Sequence, residues 1–349
     1  MPTGTHAETF DVLVIGAGPT GMACAIDAQR AGFNVVLVDK GCVVNSLYHY
    51  PANMTFFTTS ELLEIGDIPF PSTHAKPTRM EALEYYRKVA QHYDLDVKQY
   101  QRVVKVTGQD EQFRVHAIDC FGRPHEYGTR KLIVATGYYD LPNLMNIPGE
   151  NLAKVRHYYD EPHPYFDTDV AVIGGKNSAA IASLELWRHR ARVTLIHRGA
   201  AMHKNVKYWI LPDIENRIKN GEIKAFFNTS VREIREDRLL LETPEGPKEI
   251  KNDFVFALTG YRPDFEFLRS LGVECGGPEL RPACNLTSLE SNVPGIYLAG
   301  VIVAGSKTSE IFIENGRFHG ALIAADLAEK LGKGQREHPT APLYTVAAE

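Results

Sequence analysis

Gly16, Gly18 and Gly21 in "GAGPTG", with Asp39 standing 18 residues past the last of them, have the types and spacing to hold a dinucleotide. Gly16 would allow the tight turn, Gly18 would let backbone approach a pyrophosphate, and Gly21 would let a helix pack closely on a strand. The helix N-terminus then faces the negative charge, and a carboxylate at Asp39 accepts hydrogen bonds from the adenosine ribose. A second loop, "GGKNSA", keeps Gly174 and Gly175 and ends in Ala179, but places Lys176 where the third glycine of a G-G-G-x-S-A loop would fall. The matching strand end carries no acid; His197 and Arg198 stand there, with Lys204 and Lys207 soon after. An acidic residue would repel a 2′-phosphate whereas an arginine clamps it, so this second loop is expected to take NADP rather than NAD.

The five cysteines, Cys24, Cys42, Cys120, Cys275 and Cys284, are scattered and never form a C-x-x-C pair. That pattern suggests neither a disulfide framework nor a zinc site, so any redox chemistry must rest on a bound cofactor. No nucleophile, base and acid triad is visible. His49, His163 and His319 are the candidate proton donors, each weighed against an ordinary structural role. Tyr48, Tyr50, Phe56 and Phe57 have the character either of rings packed on a cofactor or of core.

Both loops are carried by the same kind of element. "FDVLVIGAGPTGMACAIDAQRAGFNVVLVDKG" and "TDVAVIGGKNSAAIASLELWRHRARVTLIHRG" each read as a strand, a glycine turn, a helical run and a second strand. That is one βαβ unit twice, and the fold class is α/β with two Rossmann-like domains. Between them, "VVKVTGQDEQFRVHAIDCFGRPHEYGTRKLIVATGYYDLP" alternates apolar and polar residues as a β-meander does. "LIVATG" and "FVFALTG" end buried strands at Gly137 and Gly260, where backbone must pass close to a ligand or another domain. Prolines follow both, so residues 143–261 read as a domain inserted between 1–142 and 262–349. "GIYLAG", "VIVAG" and "EIFIENGRFHGALIAADLAEKL" then supply a strand, a glycine-containing turn and a helix that close the first domain.

At 349 residues, 44% hydrophobic and 23% charged, the chain has core enough for two domains. A net charge of −5 without charge runs argues against nucleic acid as the main partner. No segment approaches the roughly 20 apolar residues that span a bilayer, and "MPTGTHAETF" lacks the regions of a signal peptide, so no membrane partner is expected and the expected compartment is the cytoplasm.

With these motifs in place, the chain resembles the low-molecular-weight thioredoxin reductase fold (three-layer ββα domains) over nearly its whole length. The strings "NSLYHYP", "FFTTSELLEIGDIPF", "ATGYYDLPN", "HPYFDTDVAVIGGKNSA", "ALTGYRPDFEFL" and "IFIENGRFHGA" resemble the YpdA-type flavoproteins, the bacillithiol disulfide reductases. The resemblance implies FAD and NADPH as cofactors, a homodimer, and hydride passing from NADPH through flavin to a low-molecular-weight disulfide. It places FAD against Gly16, Gly18, Pro19, Thr20, Gly21, Asp39, Lys40, Asn45, Ser46, Tyr50, Val104, Ala135, Thr136, Gly137, Gly300 and Ile313. It places NADPH against Gly175, Lys176, Asn177, Ser178, Ala179, His197, Arg198 and Gly260.

Two departures matter. Thioredoxin reductases carry a C-x-x-C pair just before the second βαβ unit, and here that place reads "HYYDEP". The YpdA type carries a cysteine in its first glycine loop, and here that position is Thr20, whose hydroxyl is no thiol-exchange nucleophile. Thr20 is therefore expected to bind the pyrophosphate region. A reductase of a small electron carrier such as ferredoxin or flavodoxin needs no cysteine and is the alternative enzyme; a flavin-binding redox sensor is the alternative of another class.

Overall fold

The apolar run before the first glycine loop is β1 (Glu8–Ile15), and α1 (Pro19–Arg30) follows at once. Proline at the first helical position, behind an extended Gly18 (φ −73°, ψ 173°), sets where the helix begins. β2 (Val35–Val38) is four buried aliphatic residues, as a parallel strand covered on both faces requires. The chain continues through α2 (Asn45–Tyr48) and α3 (Arg79–His92), the latter started by a capping box between Thr78 and Glu81. After β3 (Val97–Lys98) come β4 (Gln101–Thr107), β5 (Phe113–Asp119) and β6 (Pro124–Val134), the antiparallel meander that the alternation predicts. β6 does two jobs. Its first half pairs with β5, while along its length it runs parallel to β1, giving the order β3-β2-β1-β6-β5-β4.

The computed structural model describes residues 8–333; residues 1–7, on which the expectation of no signal peptide mainly falls, lie outside them. Two units are resolved, one running up to Leu141 and resuming at Tyr261, the other spanning Pro142–Gly260. The chain leaves the first unit through β7 (Leu141–Pro142). In the second, β8 (Val155–Arg156), β9 (Asp169–Ile173), β10 (Arg192–Ile196), β11 (Lys224–Phe226) and β15 (Phe254–Ala257) form a parallel sheet in the order β11-β10-β9-β15-β8. α4 (Asn177–Arg188) joins β9 to β10, completing the second βαβ unit, and α5 (Leu211–Lys219) follows. A separate antiparallel sheet of β12 (Ser230–Ile234), β13 (Arg238–Thr243) and β14 (Gly246–Lys251) packs Val231, Ile234, Leu239 and Leu241 into one core with Ala171, Ile196 and Val255.

Back in the first unit come β16 (Tyr261–Arg262), α6 (Phe265–Ser270), β17 (Cys275–Gly276) and β18 (Arg281–Pro282). β19 (Ile296–Leu298) then runs parallel to the last residues of β6, at Leu132–Val134. "GVIVA" is a 3-10 turn, Gly300–Ala304. The final helical run departs from the single helix that its sequence suggests: α7 (Ile313–Gly316) stops and α8 (His319–Leu331) restarts. Phe318, at φ −88°, ψ −6°, bonds back to the Asn315 carbonyl three residues before it, a tighter turn that interrupts the helical ladder. Asn315 fixes the approach to that break, its Oδ1 accepting from the Phe312 N–H and its amide donating to the Glu310 carbonyl. α8 lies against α1 through Gly320, where a Cβ would fall 2.8 Å from the Ala23 carbonyl oxygen and 2.5 Å from Asp27 Oδ2. Met22 and Ile26 of α1 are fully buried, each worth about 1.5–3 kcal/mol of transfer free energy.

Candidate dinucleotide sites

Each glycine of the first loop has its own reason. Gly16 is in the left-handed region (φ +109°), and a Cβ there would meet the Ala135 carbonyl oxygen at 2.4 Å. At Gly21 a Cβ would meet the Gly16 carbonyl oxygen at 2.0 Å, so the turn closes on itself only because residue 21 has no side chain. Gly18 is different: its φ is ordinary and no heavy atom of the protein comes within 4 Å of an added Cβ. Nothing within the chain requires glycine at 18, whereas a phosphate group drawn to the helix start requires the bare backbone. Gly137 (φ +70°) likewise borders open space.

Asp39 is tied into this loop from both ends. Its Oδ2 accepts the Ala17 N–H (2.7 Å) and its Oδ1 the Gly41 N–H (2.8 Å). Burial pushes its carboxyl up, against those two bonds that pull it down. Each carboxylate oxygen keeps a further lone pair, so ribose hydroxyls can still donate to it. Lys40 pairs with Asp140 at 2.8 Å. Asn45 starts α2 and lies over Gly41, where a Cβ would meet its Oδ1 at 2.1 Å; Ser46 is the next residue of that helix. Val44, a β-branched residue at φ +50°, holds the entry to α2, and its N–H reaches the Ala17 carbonyl at 2.9 Å. That anchoring was not legible in the sequence, since valine is the last residue expected in a left-handed position.

Thr20 is half-buried, and its neighbours are glycines. A Cβ on Gly316 would fall 3.0 Å from Thr20 Oγ1, and one on Gly300 3.3 Å from its Cγ2. Gly300 (φ +77°) donates its N–H to His319 Nδ1 at 3.1 Å. His319 is 3% exposed, and burial pushes its imidazole down to about 4. Its Nδ1 is thus an acceptor that braces the Gly300 turn, and the neutral ring carries its one N–H on Nε2. His49 is exposed beside the Asn45 carbonyl, and His163, also exposed, opens a 3-10 turn that ends in the buried Tyr165. Tyr50 packs edge-on to Tyr139 with centroids 4.8 Å apart. Tyr48 turns outward under the Arg79 guanidinium, and Phe56 joins the core. Val104 stands at the bulge of β4, and Ile313 opens α7. Ala135 donates to the Ile15 carbonyl and Thr136 follows it on the way to Gly137.

Cys24 is fully buried on α1, and burial pushes its thiol far above the ordinary range, so it stays a thiol. Among the described residues no three His, Cys, Asp or Glu side chains form a metal-binding group, and no helix is long and apolar enough to cross a membrane.

In the second unit, Gly174 (φ +154°) leaves no room for a Cβ, which would lie 2.6 Å from the Leu258 carbonyl oxygen and 2.9 Å from the Ala179 side chain. A Cβ on Gly175 would strike the His197 ring at 2.3 Å. The His197 ring is therefore packed on the loop, and burial, then Arg198 and His203, push its pKa down. Arg198, the next residue, is exposed and has no ion-pair partner among the described residues. Lys176 caps α4 in extended conformation and Ser178 is exposed at its first turn. Asn177 is the surprise: its side chain bonds the segment 203–207 instead of pointing into solvent. Gly260 (φ +93°) accepts the Asn143 N–H at 2.9 Å.

Comparison with known proteins gives the family and the fold. The family model described as pyridine nucleotide-disulphide oxidoreductase matches residues 13–300. Bacilliredoxin reductase Bdr of Bacillus subtilis is 47% identical over 322 residues, covering 91% of this chain and 97% of that protein. The solved structure of bacillithiol disulfide reductase Bdr (YpdA) from Bacillus cereus superposes with a TM-score of 0.91 at 46% identity, over 93% of this chain and all of that one. Its counterpart from Staphylococcus aureus gives 0.89 at 41% identity, over 93% and 99%. A thioredoxin reductase from T. acidophilum, at 20% identity and a TM-score of 0.71, shares the fold.

Proposed function

Because this chain belongs to the pyridine nucleotide-disulphide oxidoreductase family, we propose that it is an FAD-containing, NADPH-dependent reductase of a low-molecular-weight disulfide, bacillithiol disulfide foremost. The observation that carries the reading is the first glycine loop: Gly18 is bare where the chain itself gives no reason for it, at the start of a 12-residue helix with Asp39 alongside. The residues fit the cofactors. Gly16, Gly18, Gly21 and Asp39 would hold FAD, and Gly175, Ser178, Arg198 and the start of α4 would hold NADPH. FAD, when bound, supplies the two-electron chemistry that links NADPH to a disulfide. Overall, NADPH and one proton convert the disulfide to two thiols and NADP.

The protein's part is position and charge. Helix starts and backbone N–H groups meet the phosphates, Asp39 meets the ribose, and Arg198 gives the 2′-phosphate a cation that a plain NAD site lacks. With Cys24 buried and Thr20 a hydroxyl, the first loop offers no thiolate for a mixed disulfide, so the substrate would take its electrons from the reduced cofactor directly. That same threonine favours a second reading, reduction of a small electron-carrier protein. We further propose a homodimer acting in the cytoplasm.

The deciding experiment is NADPH oxidation by the purified protein with bacillithiol disulfide, ferredoxin or flavodoxin as acceptor. Turnover with the disulfide after every cysteine is replaced by serine supports the reading. Turnover only with ferredoxin or flavodoxin favours the alternative, and a protein whose flavin NADPH does not reduce fails both.

A further inference from the structure

The amide of Asn177, at the first turn of α4, is committed on both sides. Its Oδ1 accepts the Lys207 N–H at 2.9 Å and its Nδ2 donates to the Asn205 carbonyl at 3.3 Å. A third tether joins the same segment to the loop, the His203 N–H donating to the Gly175 carbonyl at 2.8 Å. Inside the segment, the His203 carbonyl takes the Val206 N–H and its Nδ1 takes the Asn205 N–H at 3.1 Å, so residues 203–207 form a self-bonded turn. Asn177 supplies two of these three bonds from the turn to the glycine loop and the start of α4.

The turn so held is cationic. Residues 197–212 include Arg198, Lys204 and Lys207 and contain no acid. The next carboxylate, Asp213, is occupied by Arg188 and Arg217, and the Lys207 ammonium lies over the Trp209 ring, 5.9 Å from its centroid, which leaves Lys204 as the exposed cation of the turn. Because the His203 tether lands on Gly175, whose face the His197 ring covers, the turn is returned to the strand end that carries Arg198. An exposed cation alone gains little from a phosphate, since its attraction is screened and its side chain must be ordered; several cations on a fixed backbone gain more.

We propose that Asn177 is a positioning residue for the choice of nucleotide, clamping residues 203–207 so that the exposed Lys204 stands with Arg198 as one receptor for a 2′-phosphate. The inference rests on the reading of this loop as the NADPH site. Asn177 acts through the turn and leaves nucleotide contact to its neighbours, and this separates it from a residue that merely lines the site.

The test uses two probes that differ only in the 2′-phosphate, adenosine 2′,5′-bisphosphate and adenosine 5′-monophosphate, titrated calorimetrically into the flavin-loaded protein. Asn177→Ala is expected to cut the ratio of the two affinities about tenfold, the scale of two coupled hydrogen bonds. In a Lys204→Ala background the same substitution should change the ratio less than about twofold, since a clamp with nothing to position has no effect on it. Asn177→Ser, which keeps a good helix-start residue but is too short to span both partners, is measured beside it and should behave as alanine does. If the parent prefers the bisphosphate and both Asn177 variants keep that preference, the inference is overturned alone. An equal loss with and without Lys204 also overturns it, because Asn177 then acts on the nucleotide itself. A parent with no preference for the bisphosphate overturns the NADPH reading and the inference with it.

Discussion

Replacing Gly18 by valine and Gly21 by alanine should break the protein in two different ways. At Gly18 the backbone is extended and no protein atom lies within 4 Å of an added Cβ, so the flavin-free protein has little reason to lose stability. The cost is the weaker helix start of an aliphatic residue, under about 1 kcal/mol, partly offset by a stiffer unfolded chain. At Gly21 the added Cβ would lie 2.0 Å from the Gly16 carbonyl oxygen, a backbone atom that moves only with the turn; overpacking of this kind costs about 1–3 kcal/mol. For FAD the order reverses in kind. The valine methyls occupy the space through which backbone would reach the pyrophosphate, and losing one charge-assisted bond of about 1.5–3 kcal/mol weakens binding roughly ten- to 150-fold. The assay is flavin absorbance per mole of protein after gel filtration, beside thermal melts of the flavin-stripped proteins. The expected pattern is Gly18→Val pale and stable, Gly21→Ala destabilised even without flavin. A Gly18→Val protein that stays fully yellow, or whose stripped form melts as low as Gly21→Ala, refutes the assignment of Gly18 to the ligand.

Three further outcomes are expected. Arg198→Ala should raise the KM for NADPH about tenfold or more and barely move that for NADH, since a charge-assisted phosphate contact is worth roughly 1.5–3 kcal/mol; equal effects on both donors would show that Arg198 does not read the 2′-phosphate. Thr20→Ala should leave flavin reduction by NADPH within about tenfold in stopped flow, the worth of one neutral hydrogen bond, and a larger loss would give Thr20 a role in hydride transfer. Burial pushes the Asp27 carboxyl up to about 7, so between roughly pH 4 and 7 the folded state keeps a proton that the unfolded chain has lost, and stability falls as pH rises through that window by up to about 4 kcal/mol. Asn in place of Asp27 should therefore raise the urea midpoint at pH 8 and leave it unchanged at pH 4; a gain equal at both values would rule out the ionisation.

Most of the framework was legible because its causes are local. A run such as "VVLV" between turns has one comfortable place, the middle of a parallel sheet, and "GAGPTG" before a helical run has one comfortable shape. What could not be read were arrangements made by distant partners. The brace of His319 on Gly300 joins residues 19 apart across a broken helix, and although Asn315-Gly316 in "FIENGRFHG" marks where that break can fall, nothing in the string points to Gly300. Asn177 matches a nucleotide-loop pattern, yet its side chain is claimed by a segment about 30 residues downstream. Asp39 was placed by spacing, but its bonds to Ala17 and Gly41 depend on how the turn folds back.

The pairing of β19 with the last residues of β6 has a consequence for the order in which the chain takes shape. During synthesis β1, β2 and β6 emerge within the first 134 residues, yet the strand that covers the far side of Leu132–Val134 is not made until residue 296. Until then, the last three residues of β6 present an unpaired, apolar edge, the kind of edge that recruits strands from other chains. The intervening Pro142–Gly260 carries its own sheets and core and can fold as it leaves the ribosome, so the first unit waits for its final strand while the second is already formed. A stall or truncation between residues 260 and 296 should thus yield a folded second unit attached to an aggregation-prone half-sheet.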